Sequence, residues 1–362
     1  MLASKGWGGA ERLGCTLFRM AREAGHDVRL EVLGSQQAGA GLRSDLGDDD
    51  AAHVGESELW SWARETRRLV ATYDPDVIHA HLAWPSLASA VVAVVGRRPH
   101  ILTFHLLPSG QSWPKDLLVR VPSQQVVRWV RRLNSQRVLT AVSAADSHRL
   151  QATFPRDRVE LVLNAPPLPP LVTEAPELRW PPGAVRLLSV ARICRQKGLD
   201  RLAQALASPA LRVLPWYWTI VGDGDARPAL ERQLAELGIS ERVGLAGALP
   251  AHSLFNSADL MLAPSRWEGM PLVPLEAVQS GVPIVASPIP PHVELFADIP
   301  LALLPHAEQE WPGALSRLIA NESARTELRS RQAALVPKLG RERMWREYDV
   351  LYRELGRQLA NA

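Results

Sequence analysis

A chain of 362 residues, 46% hydrophobic and 22% charged, is long enough for two ordinary domains and has the composition of a soluble globular enzyme. A formal charge of only +3, with neither dominant basic patches nor aromatic platforms, argues against nucleic-acid binding. Two cysteines, Cys15 and Cys194, lack pairing or metal spacing, which excludes a disulfide scaffold and suggests reduced thiols in a cytoplasmic compartment.

The first motif is Gly6-Trp7-Gly8-Gly9-Ala10-Glu11-Arg12. A glycine pair opening a helix lets backbone approach a phosphate closely, and a helix-like run continues to Ala24 before Gly25-His26-Asp27-Val28. Only residues 1–4 are left for a preceding strand, so a very short strand or a late start of the chain is expected. Glu11 and Arg12 interrupt the N-terminus before a signal-peptide core could form. Residues 36–58 are polar and acidic, with Asp45, Asp48, Asp49 and Asp50 close together, and read as a solvated loop. A helix over 59–72, a strand over 76–81, a helix over 82–96 and a strand over 100–105 follow. The apolar stretch 82–96 is 15 residues long and contains Pro85, Ser86 and Ser89, which fits a buried helix better than a membrane span. The alternation predicts a parallel sheet with helices on both faces.

His79 and His81 form a His-x-His pair at a strand end without nearby carboxylate or cysteine partners for a metal. His105 ends the next strand. Strand C-termini line the ligand crevice of open α/β sheets, so His105 is a candidate ligand contact, with a hydrogen-bonded packing histidine as the alternative. Residues 115–137 interleave Lys115, Arg120, Arg128, Arg131, Arg132 and Arg137 with apolar residues. This stretch reads either as a face for an anionic membrane surface or as an ordinary solvated helix face, with Pro122 dividing it into two pieces. Strands are expected over 138–142, with Ser143 capping the next helix, and over 159–163. Seven prolines between Pro166 and Pro182 mark an interdomain linker.

The second half begins with a strand over 185–190 and Ala191-Arg192-Ile193-Cys194-Arg195-Gln196-Lys197-Gly198. A strand ending at Val221 leads into Gly222-Asp223-Gly224, a glycine turn lacking the third glycine of a dinucleotide fingerprint. A helix over 227–237 and the segment 242–247 follow. Residues 264–287 then read as strand, glycine turn, helix and strand, with the helix over 273–280 and the last strand over 283–286. Glu268 lies in the turn and Glu276 about one turn into the helix, seven residues apart, so both can face one crevice. The amides of Gly269, Met270, Leu272 and Val273 sit at the helix mouth, where unpaired N–H groups and the dipole favour a phosphate. Anion donors beside two carboxylates suit a ligand carrying both phosphates and sugar hydroxyls.

Glu268-x7-Glu276, with Glu-Gly-x-Pro and the later Gly-x-Pro-Ile-Val-Ala-Ser, resembles the signature of the retaining GT-B glycosyltransferases of family 4, the glycosyl transferases group 1. The resemblance extends to the Gly-Gly-x-Glu-Arg turn, to Asp-Val-Ile-His-Ala-His and to Arg192-x4-Lys197-Gly198, where Ala191 replaces the usual glycine. Asn164-Ala165 stands where the family has Asn-Gly. Asp48-x-Asp50 is similar to the metal-binding aspartates of GT-A glycosyltransferases, but its glycine-rich setting without a preceding buried strand sets that reading aside.

The resemblance implies an α/β fold of two Rossmann-like parallel-sheet domains facing a cleft. Residues 1–168 would form the acceptor domain, 169–183 the linker and 184–340 the nucleotide-sugar domain; 341–362 would be a closing helix crossing back to the N-terminal domain. It implies a nucleoside-diphosphate sugar as donor and a saccharide or lipid-linked saccharide as acceptor. Glu276 would bind the ribose, Glu268 the sugar hydroxyls, and Arg192 with Lys197 the diphosphate, so that no metal or other cofactor is needed. Gly8, Gly9 and the amides after Glu268 would complete the anion site, and His105 would hold the donor sugar. The enzyme would be a retaining hexosyl-type transferase of surface polysaccharide or lipopolysaccharide synthesis, cytoplasmic or peripheral on the inner face of the plasma membrane. The alternatives are a nucleotide-sugar epimerase of the same fold and a non-catalytic saccharide-binding subunit.

Overall fold

The structure, a computed structural model, describes residues 2–4, 8–34, 36–47, 49, 52–55, 67–68, 70–81, 98–105, 107, 136–169, 177–250, 252 and 254–360. The expected helix 82–96 and nearly all of the basic stretch 115–137 lie outside these residues. The chain divides into two compact units: residues 1–172 with 340–362, and residues 173–339.

In the first unit, β1 (Leu2–Ser4), α1 (Gly9–Glu23), β2 (Leu30–Gly34), α2 (Gln36–Leu46) and β3 (Ala52–Gly55) follow one another, and β2 pairs in parallel with both β1 and β3. Residues 36–46 and 52–55 therefore form a helix and a strand, not the expected solvated loop. The anchor is a pair of leucines four residues apart: Leu42 and Leu46 bury one helix face among Cys15, Phe18, Leu30 and Val32. Asp49 instead pairs at the surface with Arg22.

A second parallel sheet, in the order β4 (Ile78–His81), β5 (His100–Phe104), β6 (Arg137–Ala141) and β7 (Arg158–Leu161), completes the unit's described strands. α3 (Ala144–Thr153) follows β6, and Ser143 Oγ accepts from the Asp146 amide at 3.2 Å, the expected N-cap. Arg137, read as part of a basic face, is instead a buried strand residue. It holds Asp157 through two 2.8 Å hydrogen bonds, a bidentate pair that satisfies its charge inside the protein.

The second unit is built on one parallel sheet ordered β10-β9-β8-β11-β12, with β8 at Val185–Val190, β9 at Trp216–Val221, β10 at Val243–Gly247, β11 at Leu260–Ala263 and β12 at Ile284–Ala286. Its helices include α4 (Leu199–Leu206), α5 (Pro209–Arg212), α6 (Arg227–Glu236), α7 (Leu272–Gln279), α8 (Pro290–Leu295), α9 (Trp311–Ala320) and α10 (Glu322–Ala333). β8 lies where the sequence places it, with Leu187 and Leu188 fully buried at its centre and Arg186 held by Asp259 at its edge. A buried chain of hydrogen bonds ties three strands together: Trp218 Nε1 donates to Ser189 Oγ at 3.0 Å, and that hydroxyl donates to the Leu262 carbonyl at 2.8 Å. On β12, buried Gln332 of α10 accepts from the Ile284 amide at 3.0 Å and donates to its carbonyl at 2.7 Å, taking the place of a neighbouring strand.

The last helix, α11 (Arg341–Ala360), belongs to the first unit. Met344, Tyr348, Leu351 and Leu355, spaced as one helix face, pack with Leu13, Leu17, Ile101 and Val138. Arg343 Nη2 donates to the Leu163 carbonyl at 2.6 Å, so the helix also pins the segment after β7.

Candidate functional site

In the second unit the chain reverses its direction of travel across the sheet between β8 and β11. In open α/β sheets the crevice beyond the strand C-termini at such a switch point is where ligands bind. The loops leaving these two strands, 191–198 and 264–271, carry five of the residues picked out from sequence: Arg192, Lys197, Glu268, Gly269 and Met270. They line a common pocket with Lys197, Ser265, Glu268, Pro271, Val273 and His292.

Glu268 is the centre of this pocket. Its side chain is only 8% exposed and accepts from Lys197 Nζ at 2.5 Å, Ser265 Oγ at 2.8 Å and Gln196 Nε2 at 3.1 Å. Each donor neutralises or solvates a carboxylate that would be costly to bury alone. Lys197 reaches it because Gly198 follows in the left-handed region (φ +66°), where an added Cβ would stand 2.1 Å from the Pro264 carbonyl oxygen. The two loops are locked further by the Arg266 amide donating to the Gln196 carbonyl at 2.7 Å and by a bidentate Arg266–Asp200 pair at 2.6 Å. Burial would raise the Asp200 carboxyl, but the Arg266 hydrogen bonds carry it below the ordinary carboxylate value.

Arg192 stands apart from the pair. It is exposed, on a turn held by the Ile193 amide donating to the Asp223 carbonyl at 2.9 Å. Gly222 permits that contact: at φ +140°, a Cβ there would meet the Ala191 carbonyl oxygen at 2.0 Å. The glycine turn after β9 thus positions the Arg192 loop. α7 begins at Leu272, one residue before the expected start, so Gly269 and Met270 lie in the turn while Leu272 and Val273 open the helix. Glu276 is buried inside α7.

The remaining predicted residues belong to the first unit. Gly8 is the residue before α1, and its N–H donates to Glu11 Oε2 at 3.0 Å. That amide therefore already carries a carboxylate where the sequence reading expected a phosphate; Gly9 is the first helical residue. His105 follows β5, with its Nε2 2.9 Å from His81 Nδ1 and the two rings stacked. Burial lowers His105 to about 4 and drives His81 well below its usual value. His79, also driven down by burial, bridges Tyr352 Oη and Thr103 Oγ1, each at 2.7 Å. The histidine pair read as without metal partners is therefore part of a neutral network tying α11 to the sheet.

Ser265, Gln196 and His292 are site residues that sequence reasoning passed over. Gln196 adjoins Lys197, and Ser265 lies three residues before Glu268. His292 follows Pro288-Ile289-Pro290-Pro291, where no periodic pattern directs attention to it.

The family described as "Glycosyl transferases group 1" matches residues 173–334, and "Glycosyltransferase Family 4" matches residues 7–166. Alpha-D-kanosaminyltransferase of Streptomyces kanamyceticus is 26% identical over 320 residues, covering 82% of this chain and 81% of that protein. D-inositol 3-phosphate glycosyltransferase of Streptosporangium roseum is 30% identical over 305 residues, covering 75% of this chain and 68% of that protein. Among solved structures, HepE of Anabaena in complex with UDP-glucose superposes with a TM-score of 0.74 at 18% identity, covering 100% of this chain and 99% of that one. Two parallel-sheet α/β units, matched along nearly the whole chain by two glycosyltransferase families, make this protein a member of the group 1 glycosyltransferases of the GT-B fold.

Proposed function

We propose that this glycosyltransferase takes a hexosyl-type sugar from a nucleoside-diphosphate donor and transfers it, with retained anomeric configuration, to a saccharide or lipid-linked saccharide. The observation that carries the reading is the pocket at the switch point, where Lys197, Ser265 and Glu268 meet beside the start of α7. In this reading Arg192 and Lys197 bind the diphosphate, and the amides of Gly269, Met270, Leu272 and Val273 add donors for it. Glu268 accepts from the sugar hydroxyls and Glu276 from the ribose. As the glycosidic bond breaks, the electron pair passes to the diphosphate, where fixed cations stabilise it without a metal. The acceptor hydroxyl attacks the anomeric carbon on the same face, and its proton passes to the leaving phosphate. HepE was solved with UDP-glucose, which supports a nucleotide-sugar donor. The role proposed for His105, Gly8 and Gly9 is donor binding, Gly8 through close backbone approach and not through its amide, which Glu11 holds.

The test is a metal-free thermal-shift panel of nucleoside diphosphates and their sugars on wild type and Arg192→Ala. A diphosphate that stabilises the wild type but not the variant supports the donor site and names the base; no shift with any nucleotide overturns the reading. Acceptor class is read from product analysis with saccharide and lipid-linked acceptors, and surface-glycan synthesis is the pathway expected. Membrane attachment through 115–137 is a separate part of the proposal. Reversing Arg120, Arg128 and Arg131 to glutamate should reduce binding to anionic liposomes, and unchanged binding discards it. Among the described residues no helix is long and apolar enough to cross a membrane.

A further inference from the structure

The switch-point pocket holds one polar group that has no role so far. His292, on α8, is 0% exposed and lines the pocket with Lys197, Ser265 and Glu268. Its Nδ1 lies 2.7 Å from the Ser287 carbonyl oxygen. A carbonyl oxygen only accepts, so Nδ1 carries the ring proton and, in a neutral imidazole, Nε2 is left as a bare acceptor. Nε2 is buried and has no hydrogen-bond partner among the described residues. Burial lowers the ring to about 4, which keeps it neutral at physiological pH even with the Glu268 carboxylate nearby.

An orphaned buried acceptor is rare in native proteins and asks for a donor from outside the chain. The chemistry of the pocket narrows that donor. An ionised diphosphate offers only acceptors, so it cannot pair with a neutral Nε2. Sugar hydroxyls donate, and Glu268, the other acceptor of the pocket, is suited to the same group. We propose that His292 is a specificity-determining residue whose Nε2 accepts a hydrogen bond from a hydroxyl of the transferred sugar. This inference rests on the nucleotide-sugar reading above and deepens it. It assigns sugar discrimination to a ring fixed by its own backbone bond, five residues after Ser287, and independent of the cations that hold the diphosphate.

The experiment compares calorimetric affinities, without metal, for UDP with UDP-glucose and GDP with GDP-mannose, using the pair that the wild type binds. His292→Asn keeps an N–H for the Ser287 carbonyl but withdraws the acceptor. It should bind the diphosphate within about twofold of wild type and lose about five- to tenfold for the nucleotide sugar, the effect of one hydrogen bond. His292→Gln, whose amide oxygen reaches the Nε2 position, should recover most of that loss. Equal losses for diphosphate and nucleotide sugar in both variants would mean a packing role and overturn the proposal, as would an unchanged nucleotide-sugar affinity in His292→Asn. A wild type that binds neither pair overturns the donor reading and this inference together. A wild type that binds one pair with no differential effect of the variants sinks the histidine assignment alone.

Discussion

Arg192 and Lys197 share one loop but stand in different surroundings, and their substitution should separate stability from ligand binding. Arg192 is exposed, so Arg192→Ala should change unligated stability by no more than about 0.5 kcal/mol while removing the diphosphate-induced shift. Lys197→Ala leaves Glu268, 8% exposed, without its cation. Since Lys197 is itself partly solvated, the cost should be about 2 kcal/mol, less than for a fully buried pair. Urea unfolding of the two unligated variants checks the contrast; equal stabilities would mean that Glu268 does not depend on Lys197. Gly198→Ala should cost more than about 1 kcal/mol, because it combines strained backbone with a Cβ clash against Pro264. The placement of Arg192, Lys197 and Glu268 in loops after strands, and of Glu276 in the following helix, was legible in the sequence, since turn and helix signals bound those segments. The Lys197–Glu268 pairing was not, because it joins residues 71 apart through contacts that no local pattern encodes. Gly8 differs: its amide is taken by Glu11, three residues on, in a capping box that is a local pattern, and the reading of the glycine pair as a phosphate approach passed over it.

At the level of elements, two contacts made by helices hold strands in place. Gln332 serves as the missing neighbour of β12, so Gln332→Ala should orphan the Ile284 amide and carbonyl and cost about 1–3 kcal/mol. Met344, 0% exposed on α11, fills the core of the first unit, and Met344→Ala should cost about 2–5 kcal/mol. Chemical denaturation measures both, and a loss below about 0.5 kcal/mol in either would remove the assigned role. Strands β4 to β9 and β12 were placed within a few residues by sequence, as short runs rich in apolar residues bounded by turn signals, whereas β3 was read as loop. Residues 36–58 misled for a physical reason. Glycines and clustered aspartates dominate the segment, and the apolar anchors of α2 in the described core are just Leu42 and Leu46. Helical structure there depends on packing against α1 and β2, which overrides weak local propensity.

For the whole molecule, histidines kept neutral by burial set the response to acid. A histidine whose folded pKa is depressed binds its proton more readily when unfolded, so stability is complete above the unfolded value near 6.5 and falls as pH drops toward the folded value. In the first unit burial lowers His79, His81, His100 and His105, the last two to about 4; in the second it lowers His292, also to about 4. Each contributes a slope of up to about 1.4 kcal/mol per pH unit in that window. The first unit should therefore loosen before the second between pH 6.5 and 5. Hydrogen exchange, corrected for intrinsic rates, should show β4 to β6 losing protection ahead of β8 to β11; a uniform loss would contradict the assignment. The return of α11 to the first unit also bears on synthesis. A ribosome that has made residue 172 has not yet made the helix that closes the first core, and the intervening stretch takes roughly ten to thirty seconds at ordinary elongation rates. During that interval Leu13, Leu17, Ile101 and Val138 lack their last covering. The second unit, continuous in sequence, can complete itself first, so the nascent chain should mature in the reverse of its reading order, with its opening segment the one that needs shelter from aggregation.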